Sequence, residues 1–125
     1  MEFNKHQSIY LQIADFICEN IMTKKWPEDE KISSVREMAA NIEVNPNTVM
    51  RAYSQLQEEG IIFNKRGIGY FVSSGASQKI ETMEKENFIK NELPNLIRKM
   101  QMLKINFEEF AALYKSLANG QKQTS

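Results

Sequence analysis

Asn45, Asn47, Thr48 and Arg51 fall within seven residues, in the run Asn45-Pro46-Asn47-Thr48-Val49-Met50-Arg51. Carboxamides and a guanidinium are the side chains that hydrogen-bond bidentately to base edges, and a hydroxyl can serve either kind of edge. Arg36 stands upstream, and Lys65-Arg66 stands downstream beside Gly67 and Gly69. Cations of this kind bind phosphate oxygens, and glycine lets backbone approach a phosphate or a minor groove closely because it carries no Cβ. Taken singly, each feature has a plainer reading: Asn-Pro starts a helix, Lys-Arg at a loop tip is solvated surface, and Arg36 pairs with a neighbouring acid. Their occurrence in one layout is what points to a nucleic-acid contact.

That layout needs elements to hold it. From Ser8 to about Lys24, Ile9, Ile13, Phe16, Ile17 and Ile21 repeat at helical spacing, with Gln12, Asp15, Glu19 and Asn20 expected outside. Trp26-Pro27 ends this first helix, and Glu28-Asp29-Glu30 reads as a turn. Ser34 and Glu37, three apart, form a capping box that opens a second helix with Val35, Met38, Ala39 and Ile42 inward, ending near Glu43-Val44. Asn45 is then an N-cap and Pro46 a first helical residue that needs no N–H. The third helix buries Val49, Ala52, Tyr53 and Leu56, presents Asn47, Thr48, Arg51, Ser54 and Gln55, and stops at Gly60. Two β-rich runs around Arg-Gly-Ile-Gly make a hairpin with Lys65 and Arg66 at its tip.

Ser73 to Ser77 is small and polar and reads as a linker. Beyond it, a helical rhythm runs from Ile80 through Met83, Phe88, Ile89, Leu93, Leu96, Ile97, Met100 and Leu103, with Pro94 as a kink or break. Asn106 and Glu109 cap a last helix that carries Phe107, Phe110, Leu113, Tyr114 and Leu117. The expected fold is mainly α with a small β-hairpin: a winged helix-turn-helix over residues 1–76, a two-helix C-terminal dimerisation arm over 77–118, and a disordered tail over 119–125. Phe88, Leu93, Leu96, Ile97, Met100, Leu103, Phe107, Phe110 and Leu113 are the candidate pairing residues. Methionines and aromatics in this region could also line a ligand pocket, but a packed interface is the simpler use.

Composition limits the alternatives. A chain of 125 residues that is 42% hydrophobic and 26% charged closes one ordinary core with a short appendage. Sixteen basic residues balance sixteen acidic ones, so a nucleic-acid contact must come from local placement of charge and not from a bulk positive field. A single cysteine, Cys18, and a single histidine, His6, build neither a disulfide framework nor a zinc cluster, so no metal or cofactor is expected. No apolar run approaches the roughly 20 residues of a membrane span, and the N-terminus lacks a signal-peptide layout, so a cytoplasmic location is expected. No nucleophile, base and oxyanion group can be assembled, which sets an enzyme far back.

The stretches IYLQIADFICENI, ISSVREMAANIEVNPNTVMRAYSQLQEEGII and RGIGYFV, in this order and spacing, resemble the GntR family of bacterial transcription factors, and its YtrA-like subfamily with short C-terminal regions in particular. The resemblance runs from about Ile9 to Val72 and implies operator binding by a symmetric dimer, usually as a repressor released by a small-molecule effector. It also implies that the positions of Arg36, Asn45, Pro46, Asn47, Thr48 and Gly67 meet DNA. Many relatives carry a guanine-reading arginine at the position of Pro46; its absence shifts base reading to the asparagines and Arg51. The family's Pro-Gly turn is replaced by Glu28-Asp29, and aspartate tolerates the left-handed conformation that glycine would supply. Its proline before the serine cap is replaced by Ser33. The roughly fifty residues after Ser77 resemble the two-helix dimerisation arm of the YtrA-like group, whose members often sit with genes for ABC transporters.

The partners implied are double-stranded operator DNA, a second copy of the chain and an unidentified small-molecule effector, with no membrane. The competing reading is a winged helix used as a protein-interaction module without DNA binding, which would fit the zero net charge. Such a module would be expected to expose apolar anchors on the third helix, where this sequence places hydrogen-bonding groups.

Overall fold

A computed structural model describes residues 7–124, with side chains to residue 120; His6 and the end of the chain lie outside the described residues. The elements are α1 (Ile9–Met22), α2 (Val35–Ile42), α3 (Pro46–Glu58), β1 (Ile62–Lys65), β2 (Gly69–Val72), α4 (Ala76–Asn87), a π-helical turn (Phe88–Glu92), α5 (Leu93–Met102) and α6 (Phe107–Thr124). This is a winged helix-turn-helix followed by C-terminal helices. Two compact units divide within α4, one through Glu84 and one from Lys85.

Local chemistry sets the helix ends in the first unit. Ser34 Oγ accepts the Glu37 N–H while the Glu37 carboxylate accepts the Ser34 N–H, both at 3.1 Å, so each partner satisfies an amide at the start of α2. That pair of hydrogen bonds holds the Glu37 carboxyl below the usual carboxylate range. Glu43 closes α2 in the left-handed conformation at φ 56°. The Asn45 carboxamide oxygen then accepts the Asn47 N–H at 2.8 Å and starts α3, with Pro46 as first residue.

The core of this unit draws on every element. Ile13, Ile17 and Ile21 from α1, Met38 and Ala39 from α2, and Val49, Ala52, Tyr53 and Leu56 from α3 are buried together with Ile61, Ile62 and Val72. Each large apolar side chain contributes roughly 1.5–3 kcal/mol on burial, so this cluster is the main source of the unit's stability. Gln12, expected outside, is buried at 8% exposure, with its amide donating to the Gln7 carbonyl at 2.8 Å, whereas Ile9, expected inside, is 44% exposed. Ile9 is the first residue of α1.

The hairpin pairs Ile62 with Val72, Phe63 with Phe71, Asn64 with Tyr70 and Lys65 with Gly69 around the turn Arg66-Gly67-Ile68. Gly67 takes φ +81°, which a Cβ would penalise, and the Ile68 N–H closes the turn on the Lys65 carbonyl at 2.9 Å. Glu28 to Glu30 is more than a turn. The segment after it runs along β2, with the Asp29 N–H on the Val72 carbonyl at 2.8 Å, the Val72 N–H on the Glu30 carbonyl at 3.0 Å and the Ile32 N–H on the Tyr70 carbonyl at 2.9 Å. Asp29 adopts φ +65°, the left-handed value anticipated for it.

Ser73 to Ser77 is not a free linker. The Gly75 N–H donates to the Glu28 carboxylate and Ser74 Oγ to the Asp29 carboxylate, after which Ala76 and Ile80 of α4 are buried in the core. Of these small residues Ala76 alone is buried, and Gly75 takes φ +75°, a conformation that disfavours a Cβ, so close packing and backbone conformation look the same from sequence as flexibility. In the second unit, the break foreseen at Pro94 is a π-helical turn just ahead of it, a usual accommodation where a proline removes an N–H and crowds the preceding turn. Just beyond the end of α5, Lys104 takes the left-handed conformation at φ 59°. The Asn106 carboxamide then accepts the Glu109 N–H at 2.8 Å and caps α6. α6 extends to Thr124, past the Asn119 at which the sequence reading begins a disordered tail. Gln121, Lys122 and Gln123 are good helix formers, and no proline intervenes to stop the helix.

Candidate nucleic-acid interface

Helix geometry sorts α3 into two faces. Val49, Ala52, Tyr53 and Leu56 point into the core, while Asn47, Met50, Arg51 and Ser54 are exposed and Thr48 is half-buried. Residues three and four apart lie along one side of a helix, so Asn47, Met50 or Arg51, and Ser54 form one outward stripe. Asn45 and Pro46 are also exposed, at the head of this stripe. The Asn45 carboxamide oxygen is committed to the cap, which leaves its NH2 as the group free to reach a ligand.

Arg51 does not hang loose. Its guanidinium carbon sits 3.8 Å from the centroid of the Tyr10 ring on α1, a cation–π contact worth about 0.5–1 kcal/mol at an exposed site. A guanidinium stacked by its face keeps its N–H edges available, so the contact positions the group without consuming its donors. Sequence reasoning had no means of finding Tyr10 as the partner, since the two residues are far apart in the chain and meet only because α1 crosses α3.

Arg36 is exposed at the second position of α2. A cation in the first helical turn opposes the helix dipole by about 0.3–1 kcal/mol, a cost that an anionic ligand would relieve. On the hairpin, Lys65, Arg66 and Gly67 are all exposed. The Lys65 ammonium lies 4.8 Å from the Phe71 ring and 6.0 Å from Phe63, whose rings stack on each other at 5.6 Å. Arg66 and Gly67 occupy the turn itself. All nine residues proposed from the sequence for DNA contact thus lie on α2, α3 and the hairpin of the first unit, and all but Thr48 are exposed.

A chain of aromatic contacts ties these elements together. The Tyr53 hydroxyl donates to the Ser33 carbonyl at 2.7 Å just ahead of α2, and its ring meets Tyr70 of β2 edge to face at 4.9 Å. The Tyr70 hydroxyl in turn lies 3.9 Å from Met50 Sδ. Burial, then the neighbouring Tyr70 and Glu37, push the Tyr53 phenol up, so it remains a hydrogen-bond donor. The approach to α2, the exposed face of α3 and the wing are therefore held by one connected set of side chains.

Cys18 is half-buried, and burial, reinforced by Asp15, Glu59 and Glu84, pushes its thiol up to about 12, so it is a poor nucleophile at neutral pH. Among the described residues there is no group of three or more His, Cys, Asp or Glu that could hold a metal ion, and no helix long and apolar enough to cross a membrane.

The second unit holds the nine residues proposed for pairing. Phe88, Leu96, Ile97, Leu103, Phe107 and Leu113 are exposed, Phe107 to 80%, while Leu93, Met100 and Phe110 are half-buried. Leu96, Met100, Ile105, Phe110, Leu113 and Leu117 line a groove of about 460 Å³. Such a surface exceeds what isolated exposed apolar residues explain.

Comparison with known proteins bears on this architecture. Residues 9–72 match the family described as bacterial regulatory proteins, gntR family. The chain is 34% identical over 119 residues to an uncharacterised HTH-type transcriptional regulator of Bacillus subtilis, YhcF, covering 95% of this chain and 97% of that protein. It is 39% identical over 89 residues to the Bacillus subtilis transcriptional repressor YtrA, covering 71% and 68%. A crystal structure of a GntR-family transcriptional regulator from Bacteroides thetaiotaomicron superposes with a TM-score of 0.82 at 44% identity, over 91% of this chain and 99% of that one. With the winged helix-turn-helix, its outward polar stripe and these matches in hand, the chain belongs to the gntR family of bacterial regulatory proteins and is a DNA-binding transcriptional regulator.

Proposed function

We propose that the protein is a repressor that binds a palindromic operator as a homodimer. The observation that carries this reading is the outward stripe of α3, where Asn47 and Arg51 offer bidentate hydrogen-bonding groups on a helix able to enter the major groove. Asn45, Pro46 and Thr48 sit at the entering end of that helix. Arg36 and, on the wing, Lys65, Arg66 and the Gly67 backbone grip phosphates on either side. The similar YtrA is named a repressor, which supports the direction of control.

Pairing is assigned to the second unit. Its exposed apolar side chains, Phe88, Leu96, Ile97, Leu103, Phe107 and Leu113 with Leu93, Met100 and Phe110, would meet the same patch on a twin, the self-complementary arrangement of a two-fold dimer. Two reading helices related in this way fit half-sites about one helical turn apart, which is why the operator is expected to be palindromic. An effector would act by changing the spacing of the two winged helices, since such half-sites tolerate little change in it.

Selecting duplexes from a random pool with the purified protein tests the reading, together with sedimentation of the free chain. A selected inverted repeat and a dimer in solution are the expected results. A monomer that selects no sequence, or a protein that captures no duplex, would refute it and favour a protein-interaction module.

A further inference from the structure

We propose that Met50 is a specificity-determining residue that reads the methyl group of a thymine in each half-site, and that Tyr70 is the positioning residue that holds it there. This inference rests on the placement of α3 in the major groove argued above. Of Val49, Met50, Ala52, Tyr53 and Leu56, Met50 alone is exposed, at 43%, three residues after Asn47, beside Arg51 and four before Ser54. Singly exposed apolar side chains are ordinary on a protein surface, so it is the position of Met50 and not its exposure that carries the argument: it stands within the stripe proposed to face the base edges. The major groove offers one apolar group, the C5-methyl of thymine, whereas the other features on its floor are hydrogen-bond donors and acceptors.

A thioether is suited to that task. It is a weak acceptor with no donor, so it cannot compete for the polar edges that Asn47 and Arg51 would take, and it is polarisable, so it packs well against a methyl. Its weakness is flexibility, because three side-chain torsions must be ordered. The Tyr70 hydroxyl, 3.9 Å from Met50 Sδ, supplies the restraint. Tyr70 is fixed in turn by pairing with Asn64 across the hairpin and by its edge contact with Tyr53 at 4.9 Å. The contact thus couples the wing to the base read by α3.

The test uses the full chain and its selected operator, in which each thymine is replaced singly by deoxyuridine. That change removes the methyl and leaves base pairing intact. Losing one buried methyl corresponds to about a fourfold weaker Kd per half-site, or roughly fifteenfold when both symmetric positions are changed. The expected result is one thymine per half-site with this penalty in the wild-type protein. With Met50→Ala, the thymine and deoxyuridine operators should bind equally and at about the level of wild type on deoxyuridine. With Tyr70→Phe, which keeps the ring but removes the hydroxyl, the thymine preference should shrink while phosphate grip, read as the salt slope on random DNA, stays the same. Uniform tolerance of deoxyuridine by the wild type, or a full penalty surviving in Met50→Ala, overturns the role of Met50 and leaves operator binding standing. Failure to bind any duplex overturns operator binding itself, and this role with it.

Discussion

Ile80 offers the clearest perturbation of how the DNA-binding unit is bounded. It is buried at the centre of the contact between α4 and the winged-helix core, close to Leu56, Ile61 and Cys18 around a small cavity of about 120 Å³. Replacing a fully buried isoleucine by alanine removes its transfer free energy and leaves a void, together about 2–5 kcal/mol. For a unit of this size each 1 kcal/mol lowers Tm by about 4–8 °C, so Ile80→Ala should lower it by roughly 8–40 °C. Glu81→Ala, on the exposed side of the same helix, should change it by no more than about 2 °C. Calorimetry of the full chain reads both, and thiol labelling gives a second signal, since Cys18 shares the cavity lining and should react faster in Ile80→Ala. A loss below about 3 °C with unchanged Cys18 labelling would mean that α4 does not dock on the core and that the unit ends at the hairpin.

Other expectations follow from the same placements. A fragment of residues 1–84 should be folded and monomeric and should bind a half-site weakly; a stable dimer by sedimentation would remove the pairing role from the second unit. Asn47→Ala should cost about 1–3 kcal/mol on the operator and flatten preference at one position per half-site, whereas Arg66→Ala should weaken operator and scrambled duplexes alike, so titrations on both duplexes decide whether helix and wing have these separate roles. Because Arg36, Arg51, Lys65 and Arg66 would each displace counterions in both subunits, log affinity against log salt should have a slope on the order of −4 to −7, and a slope near zero would contradict their placement at phosphates. The Glu37 carboxyl is held low by its Ser34 hydrogen bonds, so its contribution to stability is present above the ordinary carboxylate pKa and is lost as pH falls through the folded value; Glu37→Gln should flatten that part of the acid melting profile, and an unchanged profile would refute the assignment.

The elements that carry their own punctuation were readable from sequence. Ser34 with Glu37, Asn45 with Pro46, and Asn106 with Glu109 each state a helix start in local chemistry, and each is realised by hydrogen bonds at 2.8–3.1 Å. The left-handed Asp29 was likewise foreseen. What escaped was whatever depends on elements meeting. Ser73 to Ser77 looks flexible because its residues are small, yet Ala76 is buried, Ser74 and the Gly75 N–H bond to Asp29 and Glu28, and α4 follows directly with Ile80 in the core. Gln12 looks like surface, yet it lies inside because the Gln7 carbonyl accepts its amide. For the proposed interface, spacing was enough to place Asn47 and Arg51 on the exposed face of α3, while Tyr10 and Tyr70, which contact Arg51 and Met50, left no local signal. Met50 did leave one, an apolar residue at the spacing of the polar stripe, although periodicity alone reads it as an irregularity.

The backbone hydrogen bonds from Asp29, Val72 and Ile32 have a mechanical consequence. A two-stranded hairpin is marginal by itself, but this one is sewn along β2 to the segment that leaves α1, so its base cannot swing without breaking several amide contacts at once. The turn Arg66-Gly67-Ile68 at the far end lies beyond these contacts with the segment that leaves α1. The wing is thus braced at its base: a substitution in the turn at the tip would alter the proposed grip on DNA locally, while the angle of the hairpin would still be set by its contacts with the core.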